Sequence, residues 1–120
     1  MTKLMIVDDS NTIRRRIQRL VNLNQVSVVA TAGNGLEAVR MFKKHRPDAV
    51  TMDITMPHMD GIQCIESLLR LSPDLRILVI SALADKSTAL EAIKKGANGF
   101  LCKPFNEAEL NEALQELLED

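Results

Sequence analysis

The stretch "DAVTMDITMPHMDG", residues 48–61, decides how the rest of the chain is read. Val50, Thr51 and Met52 have the character of a buried strand, yet the run ends directly on a carboxylate, Asp53. Met56-Pro57 and Asp60-Gly61 then mark a tight loop. An apolar strand that terminates on an acid needs a reason, because a buried carboxylate is costly unless a cation neutralises it.

Working outward, similar short apolar runs recur at intervals of about 22–28 residues: "LMIV" (4–7), "VSVV" (26–29), "AVTM" (49–52), "ILVI" (77–80) and "GFLC" (99–102). Each is continuous rather than alternating, as in parallel strands covered on both faces. Helical patterns lie between them. Ile13, Ile17, Leu20 and Val21 share one face of the first, and Arg14, Arg15, Arg16 and Arg19 spread over the rest. The second carries Ala38, Val39 and Phe42 and stops before Pro47. The third opens after Gly61 with Ile62, Ile65, Leu68 and Leu69; the fourth offers Ala89, Ala92 and Ile93 and ends at Gly96. Asn106 reads as the N-cap of the fifth, with Glu107 and Glu109 in its first turn and Leu110, Leu114 and Leu117 on one face. Strands alternating with helices imply an α/β fold with right-handed crossovers.

Composition narrows the class. At 120 residues and 46% hydrophobic, residues 1–120 fit one domain with a real core, and 2% aromatics make that core aliphatic. The net charge of −1 provides no general attraction to nucleic acid or to an anionic membrane. No signal segment or transmembrane run is visible, so the chain reads as cytoplasmic, with Cys64 and Cys102 reduced and used in packing. Charge is nonetheless uneven: residues 1–60 hold nine Lys/Arg against six Asp/Glu, and residues 61–120 hold six against ten.

In a parallel sheet all C-terminal strand ends open on one edge, where ligands gather. That edge receives Asp8 and Asp9 from the first strand, Asp53 from the third, Ser81 from the fourth and Lys103 from the fifth. Singly, each has a plain alternative. Asp8 or Asp9 could cap a helix, although Ser10 and Asn11 stand ready for that; Ser81 could bond to a nearby backbone group, and Lys103 could pair with any acid. Jointly the three carboxylates resemble an oxygen-only site suited to Mg²⁺, which takes one or two carboxylates and retains waters.

"MIVDDS", "VTMDITMPHMDGI", "LVISA" and "GFLCKPF", in this order and spacing, resemble the receiver domain of two-component response regulators over the whole chain. The likeness is strongest to the single-domain chemotaxis regulators of that family. It implies a flavodoxin-like doubly wound (βα)5 fold with strand order 2-1-3-4-5. It also implies that Asp53 is the phosphoacceptor for a phosphohistidine on a histidine kinase or histidine phosphotransfer protein. Mg²⁺ would be bound by Asp8, Asp9, Asp53 and the backbone carbonyl of Thr55. Lys103 would neutralise phosphoryl charge, and the Lys103-Pro104 bond would be cis. Ser81 and Phe100 would form the switch, with plain core packing the alternative for Phe100. Ser at 81 and Phe at 100 depart from the commoner Thr and Tyr, and Thr55 and Leu83 occupy variable positions beside the phosphoryl group.

The arginine run of the first helix has a solvated face as its plain reading; the resemblance further implies that this helix docks the phosphohistidine donor. A downstream protein would bind the face made by the fourth helix, fifth strand and fifth helix. The fifth helix is acidic, which argues against the DNA-binding regulators that dimerise there. The chain thus reads as a monomer or weak dimer that signals through protein, not nucleic acid or membrane. Its assistance in its own phosphorylation and dephosphorylation would make it a switch, not a conventional enzyme. A receiver trimmed from a larger regulator and an inert receiver-like adaptor remain open. A haloacid-dehalogenase-type phosphatase needs a second Asp where Thr55 stands. A flavodoxin-type FMN carrier needs a phosphate loop in place of "DDSNT", and "AGNGLEA" lacks the third glycine of a dinucleotide site.

Overall fold

A computed structural model describes residues 1–54, 61–82 and 86–119. Its elements run β1 (Thr2–Val7), α1 (Asn11–Leu20), β2 (Val26–Ala32), α2 (Gly35–His45), β3 (Ala49–Asp53), α3 (Gly61–Leu71), β4 (Arg76–Ala82), α4 (Lys86–Lys94), β5 (Gly99–Lys103) and α5 (Glu107–Leu118). The five strands are parallel, in the order β2-β1-β3-β4-β5.

The continuous apolar runs follow from two cores, one on each face of the sheet. Met5, Val7, Val50, Met52, Ile77 and Val79 pack with Phe42 of α2, Ile65 and Leu68 of α3, and Ala89 and Ala92 of α4. Their neighbours Leu4, Ile6, Leu78 and Ile80 pack on the other face with Ile17 of α1 and Leu110, Leu114 and Leu117 of α5. Successive residues of β1 and β4 thus enter opposite cores, so neither face of these strands is left to solvent; in β3 the buried Thr51 is the polar exception. The outer strands β2 and β5 differ from the sequence reading. Most of their residues are only half-buried, because each edge strand has one neighbour.

Strand ends also extend past the apolar runs. Asp53, Ser81 and Lys103 lie within their strands, since the parallel ladder continues through the pairs Asp53–Ile80, Ser81–Cys102 and Ala82–Lys103. Pairing with a neighbour, not hydrophobicity, sets where a strand stops. Helix starts are legible in the sequence. Ser10 caps α1 through Ile13 N–H at 3.2 Å, and Asn34 caps α2 through Glu37 N–H at 2.8 Å. Asn106 and Glu109 form a reciprocal capping box on α5. Val21 falls just outside α1 as its C-cap. Beyond α4, Gly96 adopts φ +118°, a conformation that favours glycine.

Candidate functional site

The C-terminal sheet edge assembles the acidic residues from separate strands. Asp8 follows β1 directly: its N–H donates to the Ala32 carbonyl at 3.0 Å, and its Oδ1 accepts from Ser10 N–H at 2.8 Å. This side-chain turn orients the carboxylate before α1 begins. Asp53 closes β3, and Ile54 N–H behind it donates to the Ile80 carbonyl at 3.2 Å. Lys103 closes β5 and donates from Nζ to Asp53 Oδ2 at 2.7 Å; the same ammonium lies 3.8 Å from Asp8 Oδ2. The Lys103–Pro104 peptide is cis.

Asp8 and Asp53 are almost wholly buried, at 1% and 2% exposure, whereas Asp9 is exposed. Ligand oxygens of the three lie within 4.8 Å of one another. Asp8 Oδ2 is buried and accepts no hydrogen bond among the described residues. Burial, with Asp53 close by, pushes the Asp8 carboxyl up from 3.8 to about 7; Ser10 N–H and Lys103 act in the opposite direction. One ammonium does not offset three clustered carboxylates. A hard divalent cation would satisfy both the excess charge and the orphaned oxygen, and the donor set is all oxygen.

Ser81 is buried at the same end of β4, in register with Cys102 on β5. Cys64 and Cys102 are free thiols, the first buried and the second half-buried. Phe100 is 45% exposed, so core packing does not describe it in this structure. Thr55, Leu83 and the Met56-Pro57 turn lie outside the described residues. The glycine ending that loop has a steric reason. A Cβ on Gly61 would lie 2.7 Å from Ile54 Cγ2 and 3.0 Å from Ile54 Cα, so α3 starts against the residue after Asp53.

The arginine run divides. Arg15 and Arg19 are exposed, whereas Arg16 donates to the Phe105 carbonyl at 2.9 Å and covers the Phe105 ring. Arg14 donates to the Asp8 carbonyl and, at 3.1 Å, to Asn11 Oδ1. The sequence assigns docking to the helix as a whole and does not distinguish among the four arginines. The helical period separates 14 from 15 by about a quarter turn, but nothing local says which faces inward. Asn111 was also missed. It is buried on α5 and donates to the Leu20 and Glu107 carbonyls, both at 2.8 Å, while accepting from Asn22 N–H at 2.9 Å.

Comparison with known proteins agrees with this architecture. Residues 4–115 match the family profile "Response regulator receiver domain". The chemotaxis protein CheY of Listeria monocytogenes is 42% identical over 115 residues, covering 96% of this chain and 97% of that protein. CheY of Thermotoga maritima is 39% identical over 115 residues, covering 96% of each. Among solved structures, a CheX–CheY–BeF3–Mg²⁺ complex from Borrelia burgdorferi aligns with TM-score 0.90 at 31% identity, covering 99% of this chain and 90% of that one. With its doubly wound sheet and acidic C-terminal edge, the chain belongs to the response regulator receiver domain family.

Proposed function

We propose that this chain acts as the phosphoacceptor receiver of a chemotaxis-type two-component system, with Asp53 as the residue that receives the phosphoryl group. The observation that carries this reading is the Lys103 ammonium 2.7 Å from the buried Asp53 carboxylate, beside an Asp8 Oδ2 that accepts no hydrogen bond among the described residues. An Asp53 carboxylate oxygen forms the new O–P bond as the P–N bond to the donor histidine breaks. The donor imidazole leaves with the electron pair of that bond. Lys103 offsets the charge on the transferred group, and the burial of Asp53 limits water around it.

Receivers generally use Mg²⁺. Here Asp8, Asp9 and Asp53, with the Thr55 backbone carbonyl, would hold it, and it would supply charge neutralisation at the phosphoryl oxygens. The donor is a histidine kinase or histidine phosphotransfer protein, approaching over the exposed Arg15 and Arg19 of α1. The phosphoryl group adds close to two negative charges and strong acceptors. Ser81 moves to it, Phe100 turns inward from its exposed position, and the α4–β5–α5 face changes for a downstream protein. No helix among the described residues is long and apolar enough to cross a membrane, and a cytoplasmic location fits this role.

Intact-protein mass after acetyl phosphate treatment tests the reading. A Mg²⁺-dependent, base-labile phosphate adduct that is missing from Asp53→Asn is the expected result. No adduct on folded wild type would return the chain to an inert adaptor.

A further inference from the structure

Arg14 is set apart from the rest of the arginine run by what it touches. Its Nη1 donates to the carbonyl of Asp8, the oxygen of the peptide unit that joins Asp8 to Asp9. Its Nη2 donates to Asn11 Oδ1 at 3.1 Å, on the first residue of α1. Beneath the guanidinium lies Gly33 at the end of β2, where an added Cβ would stand 3.1 Å from Nη1 and 3.7 Å from Cζ. The side chain therefore joins the ends of β1 and β2 to the start of α1 at one corner.

We propose that Arg14 is a positioning residue for the metal loop: its fork, seated on the bare backbone of Gly33, fixes the Asp8–Asp9 peptide plane and with it the direction in which Asp9 presents its carboxylate. Asp8 has anchors of its own in Ser10 N–H and the Ala32 carbonyl. Asp9 is exposed, and rotation of the peptide before it would swing its carboxylate away from those of Asp8 and Asp53. A planar guanidinium can hold two acceptors at once in fixed directions, which a lysine ammonium does not reproduce. Glycine at 33 is the complement to this arrangement, since a Cβ there would press on Nη1 at 3.1 Å and the fork would have to give by a few tenths of an ångström.

This inference rests on the reading that Asp8, Asp9 and Asp53 bind Mg²⁺. The sign of the effect separates positioning from simple charge. Removing a cation next to three carboxylates should tighten Mg²⁺ binding by Coulomb's law alone, whereas losing a positioning contact should weaken it. Mg²⁺ titration by calorimetry, with amide shifts of Asp9 followed by NMR, would compare wild type, Arg14→Met, Arg14→Lys, Gly33→Ala and the Arg14→Met/Gly33→Ala pair.

Both Arg14 substitutions are expected to weaken Mg²⁺ about 10-fold, the low end for partners that orient metal ligands. Gly33→Ala should give a smaller loss, and none at all once Arg14 is Met, because the methyl group then meets no guanidinium. Folded Arg14→Met with unchanged or tighter Mg²⁺ binding would overturn the proposal. So would wild-type affinity in Arg14→Lys, which would leave charge as the whole effect. Should Arg14→Met fail to fold, Arg14→Lys and Gly33→Ala still decide the matter. Wild type that binds no Mg²⁺ would sink the metal-site reading itself, and this inference with it.

Discussion

The Lys103 ammonium at the end of β5 reaches past β4 to stand 2.7 Å from Asp53 Oδ2 at the end of β3. Fifty positions apart in sequence, the two residues meet because parallel strands bring their C-terminal ends to one edge. With Asp8 Oδ2 3.8 Å from the same ammonium, two buried carboxylates and one cation share a small volume, and the consequences are measurable.

Replacing Lys103 by Ala removes the cation seen nearest to Asp53. Phosphorylation of Asp53 by acetyl phosphate is expected to slow by about 100-fold, the scale of losing one fixed group that stabilises developing charge. Folding should survive, because Lys103 is part-exposed and belongs to neither core. A rate within twofold of wild type, measured on protein with a native circular dichroism spectrum, would remove Lys103 from the machinery.

Asp8 links stability to pH. Between about pH 4 and pH 7 the folded state retains a proton on Asp8 that the unfolded chain has released, since burial beside Asp53 raises its pKa from 3.8 to about 7. Its contribution therefore falls as pH rises through that window and is flat above it. Without metal, Asp8→Asn should be more stable than wild type above pH 7, by up to about 4 kcal/mol, and close to it near pH 4. Thermal unfolding of both proteins across pH 4–8 checks this; a constant difference would refute it.

Mg²⁺ should oppose that penalty. At 100 times its dissociation constant a ligand specific to the folded state adds about 2.7 kcal/mol. Wild type at pH 8 is expected to melt several degrees higher in excess Mg²⁺, with the increment abolished by EDTA and absent from Asp8→Asn. An equal increment in the variant would place the ion elsewhere.

Gly61→Ala should weaken the fold without touching an acidic residue. Its methyl group would lie 2.7 Å from Ile54 Cγ2 and 3.0 Å from the Ile54 backbone, so the start of α3 or the end of β3 must shift. A loss of about 1–3 kcal/mol in urea unfolding is the expected scale for overpacking. Because Ile54 follows Asp53 directly, slower phosphorylation should accompany it.

Asn111→Leu tests the polar tie between the two helices on one face of the sheet. The change strands the Leu20 carbonyl and the Asn22 N–H, both served by the Asn111 side chain. Unpaired groups in such a place cost about 1–3 kcal/mol. Urea unfolding should show this loss while Mg²⁺ affinity stays at the wild-type value, since Asn111 contacts none of the three aspartates.

Much of this was legible in local sequence. The β1, β3 and β4 runs are apolar without alternation because successive side chains enter different cores, and Ser10 and Asn106 announce helix starts through bonds three residues long. Asp8, Asp9, Asp53, Ser81 and Lys103 could be assigned to one edge because a parallel sheet sends every strand end there. Period, capping and strand direction are short-range properties, and the chain determines them by itself.

Tertiary structure decided the rest. Which arginine of α1 turns onto the Asp8 carbonyl depends on how the helix is rotated against the sheet and on the bare Gly33 backbone of a neighbouring strand. Whether Phe100 packs inward or stands exposed depends on β5 being an edge. The orphaned Asp8 oxygen and its raised pKa arise only when β3 brings Asp53 alongside and the surrounding chain excludes water. Desolvation and charge proximity are properties of a packed volume, and residues separated by tens of positions acquire them only when the sheet is assembled.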